Sequence, residues 1–446
     1  MDALRSSNPQ DLGHLEPAIW PTTAERGPGG ALRLGGLDVR DLAAEFGTPV
    51  FLVDETDWRA RCQLWREAFA GADIYYAAKA FLCVAVARWV AQEGLSLDVC
   101  TGGELAVALA AEFPVERLLF HGNNKSAAEL ERAVTARVGR IVVDSFQEIA
   151  RLAGIAERAG VRQRVYLRVT PGVEAHTHEF ISTGQEDQKF GFSLEAGTAA
   201  EAVRRVLAQP ALELIGLHCH IGSQIFDVDG FQLAAHRMVG LLAAIRDEHG
   251  VLLPELDLGG GQGIAYTVDD DPMDIRAYAL GLRAIVAREC GAFNLAVPRL
   301  AVEPGRAIAG PTTVTLYEVG TIKELPGLRT YASVDGGMSD NIRTALYDAA
   351  YTAVLASRLS REPLRPVTLS GKHCESGDIV VRDAALPGDL TVGDLVAVPA
   401  SGAYHRSMAS NYNHVPRPPV IAVRDGQARV LVRRETEADL LRLDVL

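Results

Sequence analysis

The chain reads as short apolar, β-like runs separated at regular intervals by Ala-, Glu- and Arg-rich stretches of helical character. The runs fall at 50–54, 74–78, 96–99, 117–121, 140–144, 164–169, 214–221, 255–258 and 299–303, with helical stretches such as 105–112 and 145–159 between them. Strands alternating with helices form βαβ units, because a parallel neighbour is reached only by a crossover. With the first run set aside as an entry strand, eight remain, the number that closes a (β/α)8 barrel of the TIM type. A doubly wound open sheet is the alternative. After about residue 310 the texture changes to short strands, at 314–319, 329–334, 367–369, 379–381, 395–398, 419–423 and 428–432, with a helical stretch around 349–358. Gly, Pro and Asp turns between them predict a mostly antiparallel β-sandwich or barrel domain. A Gly- and Pro-containing arm opens the chain, and a short helix follows, begun by Asp38 and stopped by Gly47 and Pro49. Because chain ends often lie close together, this segment is assigned to the β domain. The expected division is a barrel over 48–310 and a β domain from 1–47 and 311–446.

The composition narrows the function class. A formal net charge of −13 argues against nucleic acid or an anionic membrane as partner. No apolar run reaches the roughly 20 residues that span a bilayer. The first thirty residues lack the basic start and apolar middle of a signal peptide. Six cysteines, at 62, 83, 100, 219, 290 and 374, show no CxxC spacing and read as reduced thiols. The expectation is a soluble cytoplasmic protein.

Each barrel run ends in something chemically unusual: Lys79; Asp98; His121-Gly122-Asn123; Asp144-Ser145; Arg168; His218-Cys219-His220; Gly259-Gly260-Gly261; Glu303-Pro304-Gly305-Arg306. In such barrels the active site lies where the strand C-termini meet. Lys79 closes an apolar, aromatic run, and a dehydrated lysine is a nucleophile for carbonyl groups, though most lysines are simply surface charges. The three glycines allow backbone N–H groups close to a phosphate, although glycines also mark tight turns. They do not fit a dinucleotide fingerprint, since Ile264 stands where the third glycine is needed. His218 and His220 share one face of a strand. With no third ligand nearby in sequence, no metal is expected, and one imidazole is read as stacking on an aromatic ring. Glu303 ends an apolar run, so it needs a partner, either a protonated ring nitrogen or an arginine. Cys374 lies in a Gly-containing loop with His373, Glu375 and Asp378, which is not core texture. Neighbouring carboxylates favour its neutral thiol, a proton donor. A reactive lysine read with such a thiol suggests pyridoxal phosphate chemistry.

The strings YYAAKA, LDVCTGGEL, HGNNKS, HTHEFISTG, QKFGFS, GLHCHIGSQ, DLGGGQG, EPGR, SVDGGMSDNIRTALY, KHCESGD, GAY and MASNYN occur in this order. In them the chain resembles the diaminopimelate decarboxylases of the fold-type III pyridoxal phosphate enzymes, in their actinobacterial form, from about residue 38 to the C-terminus. The resemblance implies that Lys79 holds the cofactor, with Asp98 near it. It implies that His220 stacks on the ring and that Glu303 binds the pyridine nitrogen. Ser223, Gly259, Gly260, Gly261, Gly305, Arg306 and Tyr404 would hold the phosphate or lie close to it. Arg306, Arg343, Tyr347, Glu375 and Tyr404 would bind the substrate, and Cys374 would donate the proton. The family works as a homodimer with shared active sites, and Lys189 and Asp378 resemble a pair that bridges its subunits. The implied reaction is meso-2,6-diaminopimelate to L-lysine and CO2, the last step of lysine biosynthesis. Arg343 favours that substrate, because its guanidinium fork suits a second carboxylate. The alternatives are decarboxylation of ornithine, arginine or lysine, or a non-catalytic regulatory protein. Ser339, Thr344 and Gln262 depart from residues common in the family, and 176–189 has the composition of a lid.

Overall fold

The computed structural model describes residues 13–173 and 189–445. They divide into two units, one formed by 61–263 and 272–305, the other by residues to 60, 264–271 and 306 onward. In the first, eight parallel strands follow one another: Asp73–Ala77, Ser96–Val99, Leu118–Phe120, Arg140–Val143, Gln163–Thr170, Leu212–His218, Glu255–Asp257 and Arg299–Val302. The last pairs with the first through Ala301 and Asp73, so the sheet closes and the open-sheet alternative falls. Inward-facing Tyr75, Leu119, Val142, Tyr166, Ile215 and Ala301 fill the barrel as one packed cluster. At the N-terminal end of the strands Arg140 makes a forked ion pair with Glu255, at 2.8 and 2.7 Å, and Tyr166 Oη donates to Glu255 at 2.6 Å. This end is tied shut by polar contacts, which leaves the opposite rim for chemistry.

The intervening helices begin where the side chains dictate. Thr101, Ser126, Ser145 and Asp274 cap four of them by accepting a backbone N–H of the first turn. The strands ending at Val99, Phe120 and Val143 lead into their helices through short connections, which sets the direction of the residues at that part of the rim.

The second unit carries a sheet in the order Ile379–Pro387, Leu364–Ser370, Arg329–Val334, Thr313–Leu325, Val50–Asp54, Val420–Arg424, Gln427–Val432, with Leu395–Val398 and Val354–Leu355 attached to it. All but two of its pairings are antiparallel. Val50–Asp54 is fully buried and paired on both edges, against Thr313–Leu316 and against Val420–Val423. The first β-like run is thus an interior strand of this sheet, and the expected boundary at 48 shifts to about 60. The helix expected around 349–358 is also absent. Arg343–Tyr347 is helical, Asp348 ends it with φ of 52°, and Val354–Leu355 pairs with Leu395–Val398 instead. The short helix Val39–Phe46 has the predicted cap at Asp38 and the predicted stop at Gly47, whose φ is 70°.

Candidate active site

Glu303 follows the last barrel strand and is 7 % exposed. His121 Nε2, at the end of the Leu118–Phe120 strand, lies 2.6 Å from its Oε1. His218 Nε2, at the end of Leu212–His218, lies 3.4 Å from the same carboxylate. His218 Nδ1 is buried without a hydrogen-bond partner, so the ring's proton sits on Nε2 and points at Glu303. Burial lowers the pKa of both imidazoles, His121 to about 4, which keeps them neutral. Burial also works against charge on Glu303, but the two rings facing it prevail and hold its pKa well below the usual carboxylate range. Asp98 and Asp257, close by, are pushed the other way, first by burial and then by the charge of Glu303. Of Glu303, Asp98 and Asp257, Glu303 is the one set to be ionised. The arginine partner considered for Glu303 is replaced by a pair of histidines.

His121 and His218 offer ligand atoms that lie, with Glu303, within 4.8 Å of one another. A third candidate ligand thus exists, 97 positions before His218. Both Nε2 atoms face the carboxylate as N–H donors, however, so their lone pairs are not presented to a cation.

Lys79 follows the strand Asp73–Ala77 in a turn whose neighbours Ala78 and Ala80 are buried. The lysine itself is exposed, so the expected dehydration by its apolar flanks is not met. Its charge is felt by Asp98, whose pKa it lowers against burial, and by His220. His220 accepts the Gly260 N–H on Nδ1 at 3.3 Å. Burial and then Lys79 keep its ring neutral. The glycines have a packing reason beyond phosphate approach. A Cβ on Gly260 would stand 2.1 Å from the Glu303 carbonyl oxygen, and one on Gly261, at φ of 115°, 2.3 Å from that of Gly222. Ser223 lies in the turn after His220, and Gly305 sits against Ala77.

Other predicted residues gather in the second unit. Arg306, 5 % exposed, donates to Tyr266 Oη and lies 4.8 Å from the Tyr404 ring centroid. Arg343, 6 % exposed, donates from Nε to Tyr351 Oη at 2.7 Å. The rings of Tyr347, Tyr266 and Tyr404 lie 5.4, 5.6 and 5.7 Å from its guanidinium carbon. Burial opposes its charge, but the surrounding phenols more than offset this and raise its pKa. Among the described residues Arg343 forms no salt bridge. Tyr404 holds a φ of 64°, uncommon for an aromatic residue. Tyr266 and Tyr351 were not singled out from sequence. Tyr351, four residues beyond Tyr347, offered the only local signal.

Cys374 and Glu375 are exposed at the tip of the loop between Leu364–Ser370 and Ile379–Pro387. Asp378 is turned inward, accepting Met338 N–H at 2.6 Å and His373 N–H at 2.7 Å. It serves its own loop, so of the acids in that segment only Glu375 remains beside the thiol. His176, His178 and most of the 176–189 segment lie outside the described residues.

Residues 55–310 match the family described as pyridoxal-dependent decarboxylase, pyridoxal binding domain. The chain belongs to the pyridoxal-dependent decarboxylases. Its full-length relatives narrow the class further. It is 57 % identical to a diaminopimelate decarboxylase of Mycobacterium tuberculosis, over 98 % of this chain and 99 % of that one. It is 46 % identical to that of Bacillus subtilis, over 95 % and 97 %. The structure of the M. jannaschii diaminopimelate decarboxylase, determined with L-lysine, superposes with a TM-score of 0.89 at 31 % identity, covering 96 % of this chain and 98 % of that one.

The cofactor of this family is pyridoxal phosphate, and the residues present fit it. A buried carboxylate supplied with two N–H donors is suited to a cationic ring N–H. An exposed amine can reach an aldehyde, and a neutral imidazole beside a glycine cradle suits a flat ring with a phosphate.

Proposed function

We propose that this chain removes one carboxyl group from meso-2,6-diaminopimelate to give L-lysine and CO2. Bound pyridoxal phosphate supplies the electron sink into which the bond-breaking pair is drawn. Lys79 holds the cofactor through its amine. Glu303, kept ionised by His121 and His218, holds a proton on the ring nitrogen. His220 lies on the ring, with Asp98 close to Lys79. Gly259, Gly260, Gly261, Ser223, Gly305, Arg306 and Tyr404 supply the phosphate contacts. Cys374 delivers a proton from Sγ to the carbon that lost CO2, and Glu375 reads the substrate amine. Arg306, Arg343, Tyr347 and Tyr404 hold the carboxylate that is retained.

The observation that carries the substrate is Arg343. A buried guanidinium held by phenols, with no acidic partner among the described residues, is a receptor for a carboxylate brought by a ligand. Ornithine and lysine lack a second carboxylate, so they would leave it unmatched. The exposure of Cys374 and Glu375 on a single chain supports a homodimer in which that loop completes the partner's site. No helix among the described residues is long and apolar enough to cross a membrane. On this reading the chain acts in the cytoplasm on a small molecule, and its acidic charge disfavours nucleic acid as partner. The test is CO2 and lysine release by purified, cofactor-loaded protein from meso-diaminopimelate, with L-ornithine, L-arginine and L-lysine in parallel. Turnover confined to one of the latter would overturn the substrate.

A further inference from the structure

The base and the tip of the Cys374 loop are held differently. At the base, Gly371 N–H donates to Asp378 O at 2.9 Å and Lys372 N–H to Gly336 O at 3.0 Å. Asp378 fills the space where Gly337 and Gly371 lack side chains, since a Cβ on either would meet its carboxylate at 2.5 or 2.3 Å. At the tip, Cys374 N–H donates to the side-chain oxygen of Asn413 at 3.1 Å. The same oxygen lies 3.3 Å from His373 Nδ1, and His373 Nε2 lies 2.8 Å from Ser339 Oγ. The His373 ring is stacked on Tyr412, centroids 5.4 Å apart and planes 29° apart. Nδ1–H donating to Asn413 leaves Nε2 to accept the Ser339 hydroxyl, so one tautomer satisfies both contacts.

Asn413 is placed to do this by its backbone. Its φ of 52° is in the left-handed region, which asparagine tolerates better than most residues. Its segment is anchored at both ends. Ser410 N–H donates to Ser339 O at 2.9 Å, and Asn411 Nδ2 donates to Glu435 Oε2 at 2.7 Å and to Val415 O at 3.2 Å. An exposed thiol on a glycine-containing loop would otherwise sample many positions. Here one side-chain oxygen takes up both the cysteine's own N–H and the neighbouring ring.

We propose that Asn413 is the positioning residue for Cys374, fixing the thiol in the place from which it delivers its proton, with Ser339 and His373 bracing that contact. The proposal rests on the reading of Cys374 as proton donor. A donor misplaced by about 1 Å can cost on the order of 10²-fold in rate.

The experiment is a double-mutant cycle on the cofactor-loaded enzyme. Asn413→Gly removes the acceptor and accommodates the left-handed backbone; Asn413→Asp keeps an acceptor. Asn413→Gly is expected to lower kcat about 10- to 100-fold, with KM within about twofold, and to raise the solvent deuterium isotope effect as proton delivery becomes limiting. Asn413→Asp should retain most of the activity. In a Cys374→Ala background, Asn413→Gly should add almost nothing, because the group it positions is gone. Equal losses in both backgrounds, or an unchanged isotope effect with KM and kcat falling together, would overturn the positioning role. Full activity of Cys374→Ala would overturn the reading of the donor itself, a separate failure.

Discussion

Replacing Arg343 with methionine distinguishes an anion receptor from a structural arginine. The substitution removes the hydrogen bond to Tyr351 and leaves that buried hydroxyl unmatched, which costs about 1–3 kcal/mol. It also removes three ring contacts, which at a desolvated site are worth about 2 kcal/mol each. Against this, a charge buried without a carboxylate carries a desolvation penalty of about several kcal/mol, which methionine relieves. The lost contacts outweigh that relief, in line with the raised pKa of Arg343, so the folded protein should lose about a few kcal/mol of stability. Catalysis has no such compensation. A substrate carboxylate left without its buried partner loses about 3–5 kcal/mol, or roughly 10²- to 5 × 10³-fold in kcat/KM. Denaturant unfolding and decarboxylation kinetics read the two effects separately. Competition assays sharpen the result. Inhibition by L-lysine should weaken in parallel with kcat/KM, while 1,5-diaminopentane, which lacks the carboxylate, should inhibit nearly as before. Arg343→Lys keeps the charge but loses the fork and should fall between. Large destabilisation with unchanged kcat/KM, or equal weakening of both inhibitors, would refute the receptor argument.

Lys79→Ala should abolish the visible absorbance of covalently held cofactor together with turnover; wild-type turnover would end its assignment. Cys374→Ala should retain bound cofactor and slow turnover by about 10²–10⁴, the range of a general acid, and an unchanged rate would remove it from that role. Asp340 is fully enclosed beside Tyr317 and accepts Gly337 N–H, and burial raises its pKa to about 7. The folded state therefore keeps a proton that the unfolded chain has released, and stability falls as pH rises from about 4 to about 7, by up to roughly 4 kcal/mol. Asp340→Asn should flatten that slope; parallel stability curves for the two proteins would contradict it. Gln262 Nε2 donates to Tyr278 Oη at 2.8 Å, both groups buried. Gln262→Leu should cost about 1–3 kcal/mol, most of it recovered by adding Tyr278→Phe, and additive losses would show that the two do not act as a pair.

The barrel was legible because period and punctuation agreed. Apolar runs short enough for strands alternated with capped helices, and eight such runs could close. The polar residues at the strand ends could be placed at the rim for the same reason, since the strand direction that fixes the barrel also fixes which residues reach it. Val50–Asp54 was harder to place, because a fully buried strand reads alike in a parallel barrel and in the middle of another sheet. Only its partners, more than two hundred residues away in the chain, decide. The false helix at 349–358 arose from alanines whose propensity lost to pairing with Leu395–Val398.

Pairings across the barrel were not legible. His121 and Glu303 stand 182 positions apart, and no local pattern announces that they meet. The exposure of Lys79 also ran against its neighbours, because apolar flanks in a strand say which faces are buried and nothing about the residue in the turn beyond. The three residues expected to depart from the family show how local such pairings are. Gln262 meets Tyr278, Thr344 Oγ1 donates to Val380 O at 2.8 Å, and Ser339 meets His373. Each polar replacement is buried, and each has found a hydrogen-bonding partner, as the cost of burying a polar group requires. Two of those partners, Val380 and His373, belong to the Cys374 loop or the strand that leaves it. Thr344 and Ser339 are therefore local solutions to holding that loop, while Gln262 meets its partner within the barrel unit.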